Sequence, residues 1–230
     1  MAEGPTIHPH PSVITEDWLA VYRELPAAIL GRVIDEGFVD PKLRPIARPI
    51  HVVGTAITVR LPERDVAPMF AVIDMLRPDD VLVVDAGVDR SWACWGEPAA
   101  LAAKARGCAG VIVDGAVTDI ARLGEVDLPT FARGISARVG RPLARSSATV
   151  NAQIECGGVS VHPGDLIVAD DDGVVVIPVQ RVTDVAADAR VVAERTRVSR
   201  RWLERGGPIE ALAGLDAAGI EQLLRERGWA

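Results

Sequence analysis

Residues 81–117 read VLVVDAGVDRSWACWGEPAALAAKARGCAGVIVDGAV, and this stretch decides the fold class. The β-branched run 81–85 follows a Pro78-Asp79-Asp80 turn signal and has the length and composition of a buried strand. A loop over 86–97 leads into an alanine-rich helix predicted over 98–106. Pro98 suits its first turn, where no backbone N–H is needed, and Gly107 stops it. A second strand is predicted over 110–114. Two strands joined by such a helix lie parallel, with a right-handed crossover.

Working outward, residues 1–14 are rich in Pro and His and read as a flexible tail, in which nothing fixes His8 and His10 for chelation. A helix is expected from Thr15, capped by Thr15 or Asp17, towards Pro26, and another over 27–36, ending at Gly37. Pro41, Pro45 and Pro49 mark an extended connection into a strand over 52–60, followed by a helix over 67–76. In the second half, short strands over 128–132, 148–154, 166–169 and 173–178 are separated by Gly, Pro and Asp turns, which suggests antiparallel pairing. Asp170-Asp171-Asp172-Gly173 reads as a tight hairpin, since its spacing is not that of a calcium loop. A helix over 182–205 carries Arg190, Arg195, Arg197, Arg200, Arg201 and Arg205, and a last short helix follows Gly206-Gly207-Pro208. The expected organisation is a tail (1–14), one mixed-sheet α/β domain (15–206) and a helical extension (207–230).

The chain has 230 residues and a formal charge of -7, which argues against nucleic-acid binding because backbone contacts need a net basic face. Cys94, Cys108 and Cys156 are odd in number and widely spaced, as in a reduced cytoplasmic protein. No basic start with an apolar run marks a signal peptide, and no apolar run approaches the roughly 20 residues of a membrane helix. Phosphate-loop and dinucleotide glycine signatures are absent, as is a serine nucleophile elbow. Of the 25 basic residues, Lys42 and Lys104 are the only lysines. One falls in a proline-flanked connector and the other inside a helix, so imine chemistry has no suitable amine.

Chemistry concentrates in two places. In Gly96-Glu97-Pro98-Ala99-Ala100, the amides of Ala99 and Ala100 at a helix start can receive a carboxylate, although Glu97 alone would suit as an ordinary helix-start acid. In Asp114-Gly115-Ala116-Val117-Thr118-Asp119, Asp114 and Asp119 follow the next strand. Loops at the carboxyl ends of adjacent parallel strands are neighbours, so Glu97, Asp114 and Asp119 are expected to converge. Such carboxylates suit Mg²⁺ or Mn²⁺, although Asp114-Gly115 also reads as a plain turn and Asp119 as a cap for a helix over 120–124.

These blocks, with Phe131-Ala132-Arg133-Gly134, His162-Pro163-Gly164-Asp165 and Asp170-Asp171-Asp172-Gly173-Val174-Val175, resemble the RraA-like family, which includes class II 4-hydroxy-4-methyl-2-oxoglutarate / 4-carboxy-4-hydroxy-2-oxoadipate aldolases. The resemblance covers about residues 25–206. It implies a sandwich related to swivelling phosphohistidine domains, assembled as a homotrimer or hexamer with sites between subunits. It also implies a lyase that releases pyruvate from a small 2-oxo acid, by aldol cleavage or oxaloacetate decarboxylation. Asp119 would hold Mg²⁺ or Mn²⁺, Glu97 would bind its waters, and the amides following Glu97 in Gly96-Glu97-Pro98-Ala99-Ala100, Pro98 having none, would take the pyruvyl carboxylate.

The family's aldolases carry an acid, twenty residues, then Arg-Asp; here Glu97 is followed by twenty residues and Thr118-Asp119. Threonine offers neither charge nor a bidentate fork. Arg90 and Arg122 are the candidate replacements, Arg122 lying one helical turn after Thr118. The acid that the family draws from a neighbouring C-terminal helix falls near Thr196, with Glu194 the nearest carboxylate. A non-catalytic regulator of a partner such as a ribonuclease, or a lyase with another substrate, are the alternatives.

Overall fold

The computed structural model describes residues 4–61, 63–143 and 147–229. In chain order the elements are β1 (Thr6–Ile7), α1 (Glu16–Arg23), α2 (Ala27–Leu30), β2 (Arg44–Pro45), β3 (His51–Arg60), α3 (Ala67–Met75), β4 (Asp80–Asp85), β5 (Ala93–Trp95), α4 (Glu97–Ala105), β6 (Gly110–Val117), α5 (Ile120–Val126), β7 (Thr130–Ile135), β8 (Thr149–Val150), β9 (Ile154–Cys156), β10 (Val159–Val161), β11 (Leu166–Asp170), β12 (Gly173–Ile177), α6 (Val182–Glu204) and α7 (Ala217–Glu226). A mixed sheet runs β1-β8-β3-β4-β6-β7-β2, with β11 and β12 extending it beside β3, and β5 joining β6.

The unit quoted first is parallel as expected: Val81 pairs with Gly110 and Asp85 with Asp114. Strand β6 runs on to Val117, past the predicted Asp114, because β5 forms within the predicted loop and pairs with its far end. The alternation of buried side chains along these strands serves two cores. Leu82, Val84, Val111 and Val113 pack with Trp95, Ala100 and Ala103 under α3, α4 and α5. Val81, Val83 and Ile112 face the opposite way, towards Ile154, Cys156 and Val161 of the β9–β10 hairpin. A third core joins α1, α2 and the first half of α6 to β11 and β12. No helix among the described residues is long and apolar enough to cross a membrane.

Four expectations change. Strand β7 pairs parallel with β6, not antiparallel, because α5 is the crossover between them. The single strand predicted over 148–154 is two, broken where Asn151 takes a left-handed conformation (φ 53°). Helix α2 stops at Leu30 because the chain beyond it pairs with β12: Val176 donates to the Gly37 carbonyl at 2.8 Å and Val39 to that of Val174 at 3.0 Å. Gly37 sits at φ 88° against the Val176 carbonyl, where a Cβ has no room.

The N-terminal segment, read as a flexible tail, is paired from β1 onward. Thr6 and Ile7 align with Thr149 and Val150, and half-buried His10 shares a 2.8 Å bond with Asp80. At the other end, α7 packs on the second half of α6 through Val198, Trp202, Leu212, Ile220 and Leu224. The predicted DDDG hairpin is present, with Asp170 opposite Gly173 across β11 and β12.

Candidate active site

The site is built where β5 and β6 end side by side. Thr118 donates its amide to the Trp95 carbonyl at 2.9 Å, which brings the segment Thr118-Asp119 against Gly96-Glu97 at the start of α4. Asp119 occupies the position before α5 in a left-handed conformation, φ 55° and ψ 36°, which costs a non-glycine residue about 1 kcal/mol or more. Its side chain makes no capping bond to α5. It turns instead to α4, where Oδ2 accepts from the Glu97 amide at 3.2 Å, while Oδ1 is 3.4 Å from the Thr118 hydroxyl.

Gly96 makes this possible. A Cβ there would lie 2.5 Å from Asp119 Oδ2 and 2.9 Å from Thr118 Cγ2, so the carboxylate fills space that any side chain would claim. Of the two helix-start amides expected to be free, Ala100 is not: it donates to the Gly96 carbonyl at 3.0 Å. The Ala99 amide has no acceptor among the described residues and sits at the positive end of the α4 dipole. Glu97 is half-buried and Asp119 exposed.

Asp114 does not join them. It is fully buried on the face opposite α4, where it accepts from Arg133 Nε, from Arg90 Nη2 at 3.0 Å and from the Gly157 amide at 2.8 Å. Arg133 also holds Asp40 at 2.7 Å and keeps that carboxyl below the usual range. A spacing rule for loops after parallel strands missed this because Asp114 still lies within β6, where the two-residue period fixes its face. Arg133, which no expectation gave a role, is the residue that satisfies it.

The two candidate replacement arginines are engaged elsewhere. Arg122 pairs with Glu125 at 2.8 Å on the exposed side of α5, and Arg90 with Asp114. Glu194 is bound by Arg197 at 2.7 and 2.8 Å, which lowers its carboxyl below the usual range. On the same arginine-rich face of α6, Arg200 pairs with Glu204 at 2.6 Å and Arg201 lies 3.9 Å from Glu221 of α7. Arg195 ties α6 to the C-terminal extension through the carbonyls of Leu215 and Leu212.

The donors at this site are carboxylate oxygens, which suit a hard divalent cation. Two carboxylates leave the remaining coordination positions to water or substrate, as Mg²⁺ commonly has it. Among the described residues no third His, Cys, Asp or Glu completes the cluster.

Comparison with known proteins is consistent across sequence and structure. Residues 28–176 match the RraA-like family model, described as Aldolase/RraA. A Halalkalibacterium halodurans protein named "Putative 4-hydroxy-4-methyl-2-oxoglutarate aldolase" is 31% identical over 202 residues, covering 82% of this chain and 95% of that protein. An uncharacterized protein of Methanocaldococcus jannaschii is 31% identical over 166 residues, 72% of this chain and 79% of its own length. Streptomyces coelicolor RraAS2, described as an unusual member of the RNase ES inhibitor RraA protein family, superposes with a TM-score of 0.72 at 26% identity, covering 84% of this chain and 98% of that one.

Proposed function

The chain belongs to the RraA-like family, and on that premise we propose that it is a divalent-metal-dependent lyase that releases pyruvate from a small 2-oxo acid. Aldol cleavage of a 4-hydroxy-4-methyl-2-oxoglutarate type of substrate and decarboxylation of oxaloacetate are the two reactions that fit. The observation that carries this reading is the Asp119 carboxylate, turned away from its own helix and seated beside Glu97 in the space left by Gly96. A polar side chain held in a costly backbone conformation, with no capping bond to account for it, suggests a ligand.

Asp119 and the half-buried Glu97 would hold Mg²⁺ or Mn²⁺, Asp119 directly and Glu97 through water. The ion supplies Lewis-acid polarisation of the substrate's 2-oxo group. The Ala99 amide and the α4 dipole orient the adjacent carboxylate without spending a charged side chain. Glu97 is the carboxylate placed to accept and return a proton through a bound water. Thr118 contributes a hydroxyl to Asp119, so it acts on the metal-holding carboxylate and leaves the substrate without a guanidinium clamp. Asp119 is exposed on the single chain, which suits a site completed by a second copy in a homotrimer or hexamer.

The test is pyruvate release from 4-hydroxy-4-methyl-2-oxoglutarate and oxaloacetate with Mg²⁺ or Mn²⁺. Release that vanishes in Asp119→Ala is expected. No release with either metal, or an Asp119→Ala variant equal to wild type, overturns the reading. Thr118, with both candidate arginines paired elsewhere, favours a second reading, a non-catalytic regulator of a ribonuclease. Calorimetric titration with Mn²⁺ separates the two, since a regulator has no need for binding that depends on Asp119.

A further inference from the structure

A cavity of about 710 Å³ opens at the carboxyl ends of β3 and β4, lined in part by Arg60, Asp85, Gly87, Arg90, Glu155 and Ser160. The two-residue period sets its face. Val81 and Val83 pack towards β9 and β10, so Asp85, like Asp114, projects away from α4. Neither Gly96, Glu97, Thr118 nor Asp119 lines it.

Two guanidiniums stand here with donors to spare. Arg60 Nε lies 3.5 Å from Asp85 Oδ2, and its two terminal nitrogens have no partner among the described residues. Arg90 gives one N–H to Asp114 at 3.0 Å beside Arg133, and its other donors have no partner among the described residues. Each fork is therefore steered by an acid behind it, with side chains 10% exposed for Asp85 and 0% for Asp114. A fork anchored at one nitrogen and open at the rest matches a carboxylate. Asp85 and the exposed Glu155 are acceptors, and they suit a ligand that also carries a hydroxyl.

We propose that this cavity is a second ligand site, separate from the one beside α4, and that it takes a small hydroxylated carboxylate through Arg60 and Arg90. Malate is the probe, titrated calorimetrically into the full chain in EDTA, so that no divalent metal contributes. One saturable site is expected, weakened about tenfold or more in Arg60→Gln and in Arg90→Gln, and unchanged in Asp119→Asn. Arg60 is 56% exposed, so Arg60→Gln keeps the fold and decides the matter even if Arg90→Gln perturbs Asp114. No saturable binding, or binding that survives Arg60→Gln, overturns the proposal. Loss in Asp119→Asn alone also overturns it, because the anion then belongs to the α4 site.

Discussion

Asp114 and Asp119 are five residues apart in one continuous run of chain, yet they belong to different regions of the molecule. Asp114 is buried and receives three donors, two of them guanidiniums. Asp119 is exposed and receives one amide and one long hydroxyl contact. A carboxylate whose acceptor sites are filled by its own protein stabilises structure, because removing it leaves the donors that faced it unpaired. One with sites left open can take a ligand. The same residue type therefore serves packing in one place and chemistry in the other, and the number of committed partners distinguishes them.

The largest test of this contrast is stability. Asp114→Ala leaves Arg133 without its buried partner and is expected to cost about 3–5 kcal/mol, read as a drop in the urea midpoint. Asp119→Ala is expected to leave that midpoint in place while abolishing Mn²⁺ binding. Equal destabilisation by the two would erase the distinction.

A smaller effect sharpens the exposed side. Gly96→Ala drives a methyl into the position of Asp119 Oδ2. Mn²⁺ affinity is expected to fall about ten- to a hundredfold, the usual range when a group that orients a ligand is lost. Calorimetry on the folded variant checks it.

The smallest effect concerns the pH dependence of the buried side. Burial pushes Asp80, Asp85 and Asp165 above the ordinary aspartate value of 3.8. A carboxyl raised in the folded state stabilises the fold fully below its unfolded value and loses that contribution as pH rises through the raised value. Asp40, lowered mainly by its bond from Arg133, works the opposite way: its contribution is present above 3.8 and lost as pH falls through the lowered value. Asp85→Asn removes one raised group, so its urea midpoint should decline less than that of wild type as pH climbs from about 4 to 7. Parallel profiles for the two proteins would show that Asp85 does not titrate in this window.

Much of the architecture was legible because its signals are local. The β4–α4–β6 unit, the DDDG hairpin and the long α6 follow from β-branched runs, helix stops and turn residues within a few positions of one another. So did the pairing of Gly96-Glu97 with Thr118-Asp119, since parallel neighbours bring consecutive strand ends together. The N-terminal segment was not legible: its order comes from Asp80, Thr149 and Val150, which are distant in sequence and leave no periodic trace in residues 4–14. The parallel course of β7 was missed because α5 spans only seven residues, short for the helix of a parallel crossover.

By itself, then, the sequence determined the β4–α4–β6 unit, the long α6 and which carboxylates stand near strand ends, because propensity, turn chemistry and side-chain period act over a few residues. Only the tertiary structure decided what each charged group is free to do. Asp114 is sealed by Arg133, Arg90 and a glycine amide from β9–β10, and Arg122 is claimed by Glu125, whereas Asp119 is left open beside Gly96. Partners of that kind are chosen by distance and burial in three dimensions, and a linear spacing does not encode them.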